Sequence, residues 1–439
     1  MTASLELLRA TIFHTIANPF RDDRALVCHD DGALLVRNGR IAACGDHQAV
    51  RAQCGGDVAT TDWRGGVLLP GLVDAHVHFP QVRILGGFGR PLLDWLDELA
   101  LPEEARMADA AYARQTAETF LRALAAHGTT TALVFGAHFA PAMEAFFEAA
   151  AASGLRIASG LVLADRLLRP DLHQTPELAY RASVELIRRH HGRGRLRYAV
   201  EPRFARSTSE AMLDVCLTLL REHETVGVTT HINESPREVA EVARLFPWAR
   251  DYFAVYERYG MAGPRAVLAH DVHPTAAELE RLAAARTTVA HCPASNAALG
   301  SGIFPLRRHL DAGAPCALGT DVGAGTGFGL LKEALQAYLM QRVAPDGVAL
   351  DPAHLLYLTT LAGAEALGLD DDIGDFREGK SADFVYLRPP PGSPLEAVLR
   401  HADSPRHALG ALFMLAGPET VRDVRIDGSS VFGLPGSDV

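Results

Sequence analysis

Lysine is almost missing from this 439-residue chain: Lys332 and Lys380 are the only two, and arginine carries the rest of the positive charge. Acidic residues outnumber basic ones by 53 to 42, which gives a formal net charge of −11. A surface of that sign repels polyanions, so general nucleic-acid binding is excluded. Cysteine is sparse as well. The six thiols, Cys28, Cys44, Cys54, Cys216, Cys292 and Cys316, form no C-x-x-C pair. That excludes a disulfide framework and points to a reducing, cytoplasmic setting. No apolar run approaches the roughly 20 residues of a membrane helix. The start, Met1–Glu6, has no basic segment leading into an apolar one, so a signal peptide is not expected. No G-x-G-x-x-G follows an early strand and no G-x-x-x-x-G-K-[ST] occurs, so nothing points to a phosphate cradle.

What is present is an ordinary globular composition, 48% hydrophobic and 22% charged. Both ends are β-rich. Leu34–Ala42 reads as a hairpin turning at Asn38-Gly39, and Val424–Val431 as a second one turning at Asp427-Gly428. The middle alternates short apolar strands with Ala/Leu/Arg/Glu-rich helices. The strands are Leu72–His78, Thr130–Gly136, Arg156–Leu163, Arg197–Phe204, Gly227–Glu234, Ala266–Val272, Thr288–Pro293 and Cys316–Val322. Helical stretches include Ala110–Ala126, Ser209–Glu222 and Ala276–Ala285. Eight βα units predict an α/β fold, a closed TIM-like (β/α)₈ barrel over residues 68–375. Residues 1–67 and 376–439 together predict a small β-sandwich domain built from both termini. An open, doubly wound sheet is the alternative.

In such a barrel the chemistry sits at the C-terminal ends of the strands. The first strand ends in His76-Val77-His78, the fifth runs into His231-Ile232-Asn233-Glu234, the sixth ends in His270 and the eighth runs into Asp321. Residues i and i+2 of a strand share a face, so His76 and His78 both point into the mouth. Any one of the 19 histidines is most simply a surface or hydrogen-bonded residue. Histidines at three strand ends with an aspartate at a fourth are a different matter. Imidazoles plus one carboxylate make a site for Zn²⁺ or Fe²⁺.

The stretch Leu69-Pro70-Gly71-Leu72-Val73-Asp74-Ala75-His76-Val77-His78 resembles the opening of an amidohydrolase-superfamily barrel, and the resemblance covers almost the whole chain. It implies a metal-dependent hydrolase with His76, His78, His231 and Asp321 as ligands and His270 as the catalytic histidine beside the metal. Binuclear members carry a carboxylated lysine, commonly on the fourth strand. Here that strand has Glu201 and no lysine, which predicts one metal per chain and leaves Glu201 a second ligand in principle only.

Narrower motifs are similar to the guanine deaminases: His78-Phe79-Pro80-Gln81, Leu92-Leu93-Asp94-Trp95-Leu96, Pro202-Arg203-Phe204, His291–Asn296 and Gly319–Gly323. By that resemblance Gln81 and Arg203 hold a purine, Trp95, Phe204 and His231 border it, Glu234 and Asp321 move protons, and the protein is a homodimer. The resemblance thus implies hydrolysis of guanine to xanthine and ammonia. Arginine suits the O6/N7 edge of the base, and glutamine would take the opposite edge. Departures are Asn233 in place of serine, Asp271 and His273 after His270, where they are expected to shape the rim, and Arg206-Ser207-Thr208 in place of a Pro-containing turn. His138 reads as a rim polar residue. The H-x-E and P-C-x-x-C signature of cytidine-type deaminases is missing, and Cys292 reads as a small buried residue. A related enzyme acting on 8-oxoguanine, a pterin or an s-triazine is the alternative reading, and an inactive scaffold the minor one.

Overall fold

The computed structural model describes residues 5–54 and 58–433. The first four residues, part of the leader reading above, lie outside that range, as do the ends of the expected terminal domain. Four strands open the chain: β1 (Leu5–Thr15), β2 (Leu26–Arg37), β3 (Arg40–Asp46) and β4 (Ala59–Pro70). The barrel follows as β5 (Leu72–His78), β6 (Thr129–Phe135), β7 (Arg156–Ser159), β8 (Val162–Leu163), β9 (Leu196–Pro202), β10 (Gly227–Ile232), β11 (Ala266–His270), β12 (Thr288–His291) and β13 (Cys316–Leu318). β14 (Phe384–Leu387), β15 (Val421–Ile426) and β16 (Ser429–Gly433) complete the set.

The terminal strands hydrogen-bond into one seven-stranded mixed sheet in the order β16-β15-β14-β4-β1-β2-β3. Alternation along β1 buries Leu8, Ala10 and Ile12 against Trp63, Phe384 and Tyr386, and sends Leu7 to the other face with Leu35 and Val50. Both hairpins turn as the sequence predicts, with Asn38 and Gly39 at φ 51° and 79° and Asp427 and Gly428 at 50° and 72°. The two turns meet. The Ala382 N–H donates to the Gly39 carbonyl at 2.9 Å and the Gly428 N–H to the Ala382 carbonyl at 3.0 Å, so the 379–383 stretch joins both ends of the chain. Lys380 is buried there, its Nζ on Asp375 at 2.7 Å.

The barrel strands run parallel in the order β5-β6-β7-β9-β10-β11-β12-β13, with β8 pairing beside β7 on β9. Gly160 separates β7 from β8 because a Cβ there would stand 1.8 Å from the Ala199 carbonyl oxygen. The barrel closes just past β13. The Asp321 N–H donates to the His76 carbonyl at 2.9 Å, and the His78 N–H to the Val322 carbonyl at 3.1 Å. Closure needs Gly319, since a Cβ at that position would lie 2.8 Å from the Cβ and carbonyl oxygen of His76.

The helices are set by caps and apolar faces. Ala110–Ala126 starts on the Asp109 side chain and buries Ala113, Ala117, Phe120, Leu121 and Leu124, the i, i+3, i+4 stripe of a half-buried helix. Ala276–Ala285 starts on a capping box between Thr275 and Glu278. Among the described residues no helix is long and apolar enough to cross a membrane.

Candidate metal centre and adjoining pocket

Four imidazoles and one carboxylate converge at the strand mouths. His76 and His78 come from the end of β5, His231 from β10, His270 from the last residue of β11 and Asp321 from the turn after β13. All five side chains are buried. The Nε2 atoms of His76 and His78 are 3.1 Å apart, those of His78 and His231 3.3 Å. Asp321 Oδ1 lies 3.5 Å from His76 Nε2 and 3.3 Å from His78 Nε2. Ligand nitrogens on a tetrahedral zinc at bonds of about 2.0–2.1 Å stand about 3.3 Å from one another. The donor set therefore fits a single divalent ion.

Burial supports the ligand state of these rings. It pushes His78 down to about 3 and His270 down to about 4, and drives His231 well below the ordinary histidine range, where neighbouring imidazoles add to the effect. Neutral imidazole is the form that binds metal. The outer ring atoms fix the tautomers. His231 Nδ1 donates to the Arg203 carbonyl at 2.5 Å, and His270 Nδ1 donates to Asn296 Oδ1 at 2.9 Å. Each bond leaves Nε2 with its lone pair free.

The backbone here is strained. Asn233, His270, Asp271 and Asp321 all have positive φ, at 49°, 81°, 45° and 47°. Reciprocal bonds hold them: the Asp271 N–H donates to the Ile232 carbonyl at 2.9 Å, and Asn233 Nδ2 donates to Asp271 Oδ1 at 2.8 Å. Asp271 thus does not shape the rim. It is fully buried, where it also accepts from His309 Nε2 at 2.9 Å. The asparagine at 233 is there to meet it. His273, half-buried, donates to the Ser301 carbonyl at 2.7 Å.

Glu234 is 3% exposed, with Oε2 3.5 Å from His270 Nε2 and Oε1 buried without a partner. Burial first, then the charges of Asp321 and Glu238, raise its pKa well above the usual carboxylate range. Its backbone N–H is held by Glu238 Oε2 at 3.0 Å.

Against the metal cluster lies a small pocket lined by Gln81, Trp95, Arg203, Phe204 and Glu234 together with Leu92, Leu96 and Leu299. Its mixed lining, apolar walls with a few convergent polar groups, is that of a small-molecule site. Two substrate-holding residues read from the sequence turn out to be neighbours. Gln81 Nε2 and Arg203 Nη2 both donate to Glu104 Oε1 at 2.7 Å. Sharing one carboxylate oxygen, the two side chains stand side by side. The Gly323 N–H donates to Gln81 Oε1 at 3.2 Å, which settles the orientation of the amide.

Other expectations shift too. His138 is not on the rim but buried, its Nε2 3.2 Å from Glu104 Oε2. Glu201 is no metal ligand: its Oε2 accepts from the Gly136 N–H at 2.8 Å inside the barrel. Cys292 is fully buried, as read. Glu104 and Phe135 were missed. Phe135 ends β6 and packs on His78 and His231, with ring centroids 4.8 and 4.7 Å away. Its signal was its place at a strand end.

Residues 67–431 match the Amidohydrolase family. The chain belongs to this family. Amidohydrolases are metal-dependent, and His76, His78, His231, His270 and Asp321 offer the donors that could hold a metal ion. The chain is 58% identical to the probable guanine deaminase of Deinococcus radiodurans, over 98% of this chain and 99% of that protein. Among solved structures, Escherichia coli guanine deaminase superposes with a TM-score of 0.92 at 35% identity, covering 98% of this chain and 99% of that one. The guanine deaminase from Bradyrhizobium japonicum gives 0.92 at 33%, covering 98% and 100%.

Proposed function

We propose that this amidohydrolase is a guanine deaminase, hydrolysing guanine to xanthine and ammonia. The observation that carries the reading is the placement of Arg203 and Gln81, locked side by side, in the same pocket as Glu234 and the metal cluster. The D. radiodurans and E. coli proteins, similar over nearly their full length, support it.

His76, His78, His231 and Asp321 would hold one Zn²⁺, with Fe²⁺ the other ion this donor set suits. A metal so held would act as a Lewis acid and lower the pKa of water toward about 7. The protein groups do the rest. Arg203 commits Nε and Nη2 to Glu104, so the N–H groups of Nη1 remain to donate to the purine carbonyl. Gln81 keeps its second amide N–H for a neighbouring ring atom. Trp95, Phe204 and Leu299 supply the apolar slot in which a planar base fits. Glu234 takes a proton from the attacking water and delivers it to the ring nitrogen next to C2. The water oxygen bonds to C2, and the C2–N bond to the exocyclic amine breaks. Asp321, 3.9 Å from His270 Nε2, carries the second proton to the departing ammonia. His270 Nε2, its lone pair left free by the Nδ1–H bond to Asn296, accepts a hydrogen bond from the attacking water and orients it.

The cytoplasm suits the six free thiols, and the homodimer implied by the resemblance belongs to the same proposal. A panel of guanine, 8-oxoguanine, a pterin and an s-triazine, offered to metal-replete protein, tests the substrate. Guanine is expected to give the highest kcat/KM. A preference of tenfold or more for another member would replace it.

A further inference from the structure

Glu104 carries no recognisable signature and does not line the cavity. It lies on the short helix Leu101–Ala105, in the segment that also brings Leu92 and Trp95 over the pocket. It is 3% exposed. Its oxygens bond to three side chains, Gln81, Arg203 and His138. Oε1 accepts from Gln81 and Arg203 Nη2, both at 2.7 Å, and Oε2 from Arg203 Nε at 3.3 Å and His138 Nε2 at 3.2 Å.

We propose that Glu104 is the positioning residue that sets substrate specificity: it fixes Arg203 and Gln81 in register and cancels the charge of Arg203, so that the pocket accepts a neutral purine and rejects an anionic one. This rests on the reading that a purine is the substrate. A forked carboxylate contact fixes the guanidinium plane, and Gln81, sharing one oxygen with it, is fixed relative to it. A buried guanidinium with no counter-charge would be a strong anion site. Paired with Glu104, and with His138 contributing a neutral N–H, the cluster presents donors without net charge. The consequence is chemical. Replacing a ring-bound amine by a carbonyl gives a more acidic product, so a charge-neutral recognition face holds the substrate and releases the ionised product.

The test uses the metal-loaded enzyme at one fixed pH near neutrality. Binding of hypoxanthine, neutral there, and of urate, an anion there, is measured by calorimetry for wild type, Glu104→Gln and Glu104→Asp, with metal content and KM and kcat for guanine. Wild type should prefer hypoxanthine. Glu104→Gln should shift that preference toward urate by about tenfold or more, the range carried by one charge-assisted hydrogen bond. Glu104→Asp, which keeps the charge but withdraws it, should retain the preference and raise KM by about tenfold or more with kcat within a few-fold and metal unchanged. An unaltered hypoxanthine-to-urate ratio in Glu104→Gln overturns the charge assignment, and a wild-type KM in Glu104→Asp overturns positioning. Loss of metal from both variants would make Glu104 a merely structural residue. A wild-type enzyme that releases no ammonia from guanine defeats the proposed reaction, while the binding comparison still decides Glu104.

Discussion

His231 donates its Nδ1–H to the backbone carbonyl of Arg203 at 2.5 Å, so a proposed metal ligand and a proposed substrate-holding residue share one hydrogen bond. The carbonyl can only accept, which leaves His231 Nε2 as the lone-pair donor. Tyr256 reinforces the junction, its hydroxyl donating to the His231 carbonyl at 2.7 Å and accepting from the Ala205 N–H at 3.0 Å. The proposed metal ligand and the proposed substrate-holding residue are thereby tied together at neighbouring strand ends, β9 and β10.

Glu234→Gln keeps the size of the side chain and removes its capacity to take a proton. Turnover should fall by on the order of 10²–10⁴ with metal content unchanged. Ammonia release and metal analysis on the same preparation check this. Near-wild-type turnover would remove Glu234 from proton transfer.

Asn296 acts on His270 from behind, through the 2.9 Å bond to Nδ1. Asn296→Ala frees the imidazole to adopt the other tautomer. Activity should drop by roughly 10- to 100-fold, the usual cost of losing such a partner. Steady-state kinetics would show it, and an unchanged kcat would mean that packing alone orients the ring.

Gly319→Ala tests how the barrel closes. The added methyl would press on His76 at 2.8 Å. Overpacking of this kind costs about 1–3 kcal/mol. A lower thermal midpoint and less metal per chain are expected. Full metal loading with an unchanged midpoint would show that the strands yield without moving the ligand.

A pH effect originates in the terminal sheet. His14 is 5% exposed, and burial pushes it down to about 4; the Phe376 N–H donates into Nδ1 at 3.2 Å. An unfolded chain binds that proton near pH 6.5. Between pH 6.5 and 4 the unfolded state therefore carries more protons, so stability falls as pH drops through this window and is fully present above it. The gap amounts to about 3 kcal/mol. Urea midpoints measured across the window should slope less steeply in His14→Gln than in wild type. Identical slopes would contradict the assignment.

The eight barrel strands were legible because each is a short apolar run between turn-forming or polar residues, and the ligands because they stand where those runs end. Strand lengths were less so. The eighth was read to Val322 but stops at Leu318, since Asp321 leaves the ladder at positive φ to bond back to His76. The third was read as continuous, yet Gly160 interrupts it where the backbones of neighbouring strands come too close for a Cβ.

Glu104 was not legible at all. Glu103-Glu104 after Pro102 looks like any acidic first turn of a helix. Its meaning comes from Arg203, 99 positions away, which only the closed barrel brings to it. His138 was misread for the same reason. A histidine following a strand is polar by sequence, and its burial depends on a carboxylate 34 residues earlier.

The most direct test of the account is ammonia and xanthine release from guanine by purified, metal-replete protein, repeated after chelation and after zinc is restored. Both products should appear in equal amounts, vanish with the metal and return with it. Metal-loaded protein that leaves guanine intact would contradict the proposed reaction while leaving the amidohydrolase fold and its metal centre in place.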